Sequence, residues 1–311
     1  MLLCRTGYVG VMCQEFKYEG NKIIKNILKM YLRPPIQMFR RYKARASLTQ
    51  LTSHKHPKLR AVGDALHESL THDISVEEQK WINLIEQRRS FLLNSDKEIA
   101  IIDYGAGKPD ANRTKEEMNK GVQATARVSN ICEASKPVFW AIFLLKMIRK
   151  LEPSSCVELG SCVGISASYI TAALNINGKG ELLSLEGSPE IAKIGKETLE
   201  NLNLQRGSII MGPFHETLKG VMECAKPIDF FFNDGHHDHD AVIQYLNESL
   251  HNLSEEAIMV FDDISWSPGM RKAWVEIEND ARVSTSIDLQ TIGIALLGKN
   301  LTTKEKFRIP L

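Results

Sequence analysis

Four apolar runs in this chain end on acidic residues, and the segment after each has the make-up of a site. The first is Val157-Glu158-Leu159-Gly160-Ser161-Cys162-Val163-Gly164-Ile165-Ser166, where an acid is followed by a loop with two spaced glycines. Such glycines let backbone N–H groups approach a ligand closely, and the helical apolar spacing over 166–174 puts a helix start behind the loop. The second run, Leu183-Ser184-Leu185-Glu186-Gly187, ends on a carboxylate that can accept hydrogen bonds from two ribose hydroxyls. The glycine spacing is not G-x-G-x-x-G, so a ligand with a ribose and no pyrophosphate suits this loop best. The third run is Phe230-Phe231-Phe232-Asn233-Asp234, followed by His236, His237 and His239, and the fourth is Ile258-Met259-Val260-Phe261-Asp262-Asp263. Three carboxylates at one sheet edge repel one another unless a positive charge lies between them, and oxygen ligands of this kind suit a hard divalent cation.

The elements that must position these residues alternate. Strands are expected at 156–159, 182–185, 208–211, 230–233, 258–261 and 293–297, with helices at 166–174, 189–202, 215–224 and 242–253 between the first five. This pattern predicts an α/β fold: a Rossmann-like, doubly wound, mostly parallel sheet with ligands at the carboxyl ends of its strands. The last strands, after 270–279, are expected to close as an antiparallel C-terminal edge. Ahead of this domain, 57–94 reads as a helical cap, 99–102 as a short strand and 108–120 as an exposed loop and candidate lid. A second glycine turn, Asp103-Tyr104-Gly105-Ala106-Gly107, lacks a following apolar helix and reads as a turn or a lid. The expected division is a basic N-terminal arm over 1–60, a helical cap and lid over 61–136, and a ligand-binding domain over 137–311.

Composition narrows the class. A chain of 311 residues with 43% hydrophobic and 25% charged residues can bury a sizeable core, and it has no apolar run of the roughly 20 residues a membrane span needs. The start breaks its apolar run at Arg5, too early for a secretory signal, and the six cysteines have no C-x-x-C spacing; a soluble cytoplasmic protein with free thiols is expected. The net charge of +1 conceals a division: residues 1–60 hold 13 basic against two acidic residues, and the rest holds 26 against 36. A helix with basic residues is expected at 21–31. It is read as a solvated helix docking on the acidic remainder or on a twin subunit in a homodimer, with peripheral membrane contact as the alternative; no nucleic-acid partner is expected.

Glu158-Leu159-Gly160 through Gly164, then Glu186, Asp234-Gly235-His236-His237 and Asp262-Asp263, resemble the class I S-adenosylmethionine-dependent methyltransferases, in particular the metal-dependent catechol- and sugar-type O-methyltransferases. The resemblance covers roughly 137–300. It implies that Glu158, Gly160, Ser161 and Gly164 surround the methionine part of S-adenosylmethionine, with Asp234 close by. It implies further that Glu186 and Gly187 hold the ribose, and that the loop with Gly212 and Phe214 borders the adenine. Asp234, Asp262 and Asp263 would hold Mg²⁺ or another divalent cation, with His236 or His239 as a further ligand. His237 stands where catechol-type enzymes carry a lysine base and His236 where some sugar-type enzymes carry an acid, so both are candidate catalytic residues, His237 preferred. The implied function is methylation of a small-molecule hydroxyl, helped by metal. The alternatives are metal-independent N-methylation and a noncatalytic binding protein that retains the fold. A metallohydrolase reading of the His-rich run fails, because Ala241 and Val242 stand where its Asp and His would be needed.

Overall fold

The computed structural model describes residues 45–105, 113–298 and 304–311. The expected basic helix at 21–31, the second glycine of the Asp103–Gly107 turn and the first part of the candidate lid lie outside the described residues. After a helical segment over 45–52 come two helices, α1 (Pro57–Thr71) and α2 (Val76–Leu93), the second opened by a capping box in which Ser75 and Glu78 satisfy each other's backbone N–H groups. A two-stranded antiparallel hairpin follows, β1 (Glu98–Asp103) paired with β2 (Val122–Arg127), with the short helix α3 (Lys115–Lys120) between them. Helices α4 (Val128–Glu133) and α5 (Val138–Leu151) then lead into the main sheet. The cap is tied to α5 by buried charge: the Lys146 ammonium lies 2.7 Å from Glu78 and 3.0 Å from Glu68.

The main sheet is the expected Rossmann-like one. Its strands are β3 (Ser155–Leu159), β4 (Glu181–Glu186), β5 (Gly207–Met211), β6 (Ile228–Asn233), β7 (Leu253–Phe261), β8 (Val283–Asp288), β9 (Gly293–Leu297) and β10 (Glu305–Arg308), in the order β10-β8-β9-β7-β6-β3-β4-β5. Strands β5, β4, β3, β6 and β7 are parallel, and β9 is antiparallel to both β7 and β8. This places the antiparallel edge where the sequence predicts it, with β10 added parallel to β8. Helices α6 (Ile165–Asn177) and α7 (Pro189–Asn201) cover one face of the sheet, and α8 (Phe214–Ala225), α9 (His239–Ser249) and α10 (Pro268–Asn279) the other. With helices on both faces the central strands must be largely apolar, and Phe230, Phe231 and Phe232 are all fully buried. Among the described residues no helix is long and apolar enough to cross a membrane.

Strand order reverses between β3 and β6, and there the carboxyl-end loops diverge to leave a crevice. The far side of that edge is wedged by Trp274, fully buried, whose ring meets the backbone of Gly293 so closely that a Cβ there would lie 2.5 Å from it. Its ring centroid is 6.2 Å from that of Phe261, at the end of β7. Trp274→Ala is therefore expected to cost about 3–5 kcal/mol, read as a lower urea midpoint at unchanged slope.

Candidate functional site

Main-chain hydrogen bonds continue past the strand ends and tie the four loops into one edge. The Gly160 and Ser161 N–H groups donate to Leu185 O, the Asp234 N–H to Leu159 O and the Asp262 N–H to Asn233 O, at 2.9 to 3.1 Å. Residues far apart in sequence are thereby set side by side, each one step beyond a neighbouring strand. Gly160 is the tightest point: its φ is +93°, and a Cβ would stand 2.5 Å from the Asp234 carbonyl oxygen. Only glycine lets the loops after β3 and β6 touch there.

A cavity of about 320 Å³ opens at this edge. Of the residues expected to bind the cofactor, Gly160, Ser161, Glu186, Gly187, Phe214 and Asp234 line it, as do both candidate catalytic histidines. Glu186 is held at the mouth of the loop, accepting the Cys162 and Ser188 N–H groups at 2.9 Å each. Burial raises its carboxyl above the ordinary range. Phe214 packs edge-on against His236 and Tyr245.

Three of the expected residues do not reach the cavity wall. Glu158 lies beneath the loop, completely buried; Ser184 Oγ donates to its Oε2, and its Oε1 has no partner. Gly164, at φ +85°, is the N-cap of α6, where a Cβ would press on the Gly195 backbone at 3.0 Å; its glycine serves helix packing. Gly212 turns the chain at φ +138° and leaves the wall to Pro213 and Phe214.

Sequence reading gave the first strand of the hairpin at 99–102 but missed its partner β2, and it missed Lys136. Ile101, Ile102, Asp103, Tyr104 and Gly105 line the cavity, and the Tyr104 ring lies where a Cβ on Gly187 would be, 2.6 Å away. The Ile102 N–H donates to Ser188 Oγ at 3.2 Å, fixing the hairpin over the loop that follows Glu186. Arg113 donates to Asp103 at 2.8 Å.

Lys136 sits in the turn between α4 and α5, 7% exposed, with Pro137 capping α5 behind it. Its ammonium contacts Asp262 Oδ2 directly and lies 3.2 Å from Asp234 Oδ2. Burial works against the charged lysine, but the two carboxylates beside it raise its pKa above the ordinary value. One cation does not neutralise the two acids equally. Loss of water and the repulsion from Asp262 push Asp234 well above its usual range. Asp262 suffers burial too, yet the Lys136 ammonium holds it below. Asp263 turns away at φ +51° and keeps about a third of its side chain exposed.

The histidines separate by environment. His236 is buried, its Nδ1 2.9 Å from the Tyr245 hydroxyl, and burial drops its pKa to about 4. His237, at φ +38°, stands between Asp234 and Asp263 with each ring nitrogen 3.9 Å from a carboxylate oxygen, and its ring lies against Trp266. Burial lowers its pKa, so the ring is neutral near pH 7. His239 belongs elsewhere, bonded to Asp240 and Glu276 at the start of α9.

The donor set therefore does not fit a divalent cation. The space between Asp234 and Asp262 holds an ammonium, His239 is out of reach and His236 is engaged with Tyr245. Among the described residues no group of three His, Cys, Asp or Glu is placed to hold a metal ion. The nucleoside side does fit: a glycine-built cradle, a strand-end carboxylate and an aromatic wall converge on one cavity.

Residues 157–264 match a family model described as a methyltransferase domain, which is about a third of the chain. No curated protein matches the sequence. Among solved structures, the chain is similar to an O-methyltransferase from Bacillus cereus in complex with SAH, at 21% identity over 54% of this chain and 85% of that chain, TM-score 0.49. It is also similar to an SAH-bound methyltransferase from Podospora anserina, at 18% identity over 54% and 82%, TM-score 0.48. A third is a Streptomyces achromogenes O-methyltransferase involved in tomaymycin synthesis, in complex with SAM, at 16% identity over 53% and 82%, TM-score 0.45. All three are distant likenesses.

Glu158 offers a test of the buried floor. Its pKa rises from 4.5 to about 7 because burial disfavours the charged form. Below pH 4.5 folded and unfolded chains both carry the proton. As pH rises, the unfolded chain ionises first, so stability falls and the loss, roughly 3 kcal/mol, is complete above the folded pKa. Glu158→Gln should then gain stability over the parent at pH 8 and little at pH 5 in thermal melts. Parallel losses at both pH values would contradict the assignment.

Proposed function

We propose that this chain, a class I S-adenosylmethionine-dependent methyltransferase through its domain at 157–264, methylates a hydroxyl oxygen of a small molecule. The observation that carries the reading is that Glu186, the Gly160 loop, Asp234 and His237 line one cavity at the point where strand order reverses. Glu186 would take the ribose hydroxyls, since a carboxylate has about four acceptor sites and backbone N–H groups do not fill them. The Gly160–Ser161 backbone and the start of α6, at Ile165 and Ser166, suit the carboxylate of the methionine part. Phe214 and Tyr104 would flank the adenosine. When bound, the cofactor supplies a methyl group on a positively charged sulfur; the acceptor oxygen forms the new C–O bond as the C–S bond breaks and its electron pair stays on sulfur.

The chain's own part is alignment and proton removal. His237 is the base: it is neutral, faces the cavity, and neither ring nitrogen is within hydrogen-bond distance of a carboxylate, so a nitrogen is free for the acceptor's proton. Asp263, near Nδ1, steadies the imidazolium that forms. His236, held by Tyr245, shapes the wall and stays uncharged. A hydroxylated acceptor fits this pairing of a neutral base with buried charge, and the free thiols of Cys132, Cys156, Cys162 and Cys224 suit the reducing cytoplasm.

Calorimetry and a screen of hydroxylated and amine acceptors test the reading. Glu186→Ala should weaken S-adenosylmethionine binding by at least about tenfold, one lost charged hydrogen-bond partner. His237→Gln should keep that affinity within a few-fold and lose about 100-fold or more in turnover, the contribution of a general base. No cofactor binding by the parent would remove the methyltransferase, and turnover of amines alone would move the reaction from oxygen to nitrogen.

A further inference from the structure

We propose that Lys136 is a built-in cation, taking the place between Asp234 and Asp262 where a divalent metal would otherwise be needed, so that this chain's acceptor site works without metal. The inference rests on the methyltransferase reading and deepens its acceptor side. Parallel strands β6 and β7 bring two carboxylates to one edge, Asp262 fully buried and Asp234 with 16% of its side chain exposed, and two acids so close and so little hydrated need a cation. The cation they have is covalently part of the chain. Its carrier is 7% exposed, comes from a turn held by Pro137, and contacts Asp262 directly with Asp234 at 3.2 Å. A metal ion coordinated by the same two oxygens would have to occupy the volume of the ammonium.

Lys136 also lines the cavity. An ammonium carries three N–H donors, and the two carboxylates account for two. The third is left for the oxygen of the acceptor, where it favours the ionised form as His237 removes the proton, with no change of metal coordination. The atoms balance: the proton goes to His237, the methyl to oxygen, and Lys136 keeps all its protons.

Manganese(II) is the probe, followed by electron paramagnetic resonance on the full chain without cofactor. The parent is expected to leave Mn²⁺ free, and Lys136→Ala to bind one ion at least about tenfold more tightly, because the pair loses the cation between its members. Asp262→Asn in the Lys136→Ala background should abolish that gain. A parent that binds one Mn²⁺ at micromolar concentration, with Asp262→Asn removing it, would overturn the proposal. So would a folded Lys136→Ala chain with no gain in Mn²⁺ affinity. If Lys136→Ala fails to fold, the parent and Asp262→Asn titrations decide alone. In the acceptor screen, turnover should survive EDTA; turnover abolished by EDTA and restored by Mg²⁺ would also overturn it. Failure to bind S-adenosylmethionine would sink the methyltransferase reading and leave the Mn²⁺ result standing, so the two failures are distinct.

Discussion

Two carboxylates just past the ends of adjacent parallel strands, Asp262 buried and Asp234 largely so, set the constraint around which this site is built. Asp234 and Asp262 are brought together by main-chain bonding that neither side chain can alter, so their repulsion must be answered locally. Charge taken out of water is costly, and attraction repays it only at close range and good geometry. The answer is the Lys136 ammonium, and it is an unequal one: Asp262 remains ionised and Asp234 is pushed toward its neutral form. The helix that follows Lys136 thereby gains a fixed end at the sheet edge, and the cap that packs on this helix is positioned with it.

The same edge sets the proposed nucleoside and acceptor sides next to each other. Hydrogen bonds from Gly160 to Leu185 and from Asp234 to Leu159 lock β4, β3 and β6 past their ends, so Glu186 and Asp234 open on one cavity. Gly160 makes the contact sterically possible, and the strained backbone at His236, His237, Cys162 and Asp263, all at positive φ, is concentrated around it. Such strain persists only where surrounding structure over-determines it. The hairpin β1–β2 closes the remaining side, with Tyr104 laid on Gly187.

Most of the sheet was legible because its strands are apolar runs that end on polar residues, and the helix-covered faces demand that pattern. Three strands were not legible as such: β2, β8 and the short, mostly exposed β10. β2 is exposed along nearly its whole length, so Val122–Arg127 has no apolar alternation to read. β8 is buried throughout yet rich in Ser and Thr, with Ser284 Oγ donating to Leu296 O at 2.9 Å; its polar groups are satisfied in the fold and look like a loop in sequence. In the site, the strand-end acids and glycines could be placed because each follows its own strand. Lys136 could not, since Asp262 is 126 residues away and nothing local marks a lysine before a proline as the partner of distant acids. The need for a positive charge among the carboxylates was readable; its source was not.

Crystals of the full chain grown with S-adenosylhomocysteine and Mn²⁺, with anomalous diffraction recorded for manganese, would decide between an ammonium and a metal at this edge. The expected result is the ribose hydroxyls on Glu186, Lys136 still between Asp234 and Asp262, and no anomalous peak there. A manganese peak bridging the two carboxylates, with the Lys136 side chain displaced, would contradict it.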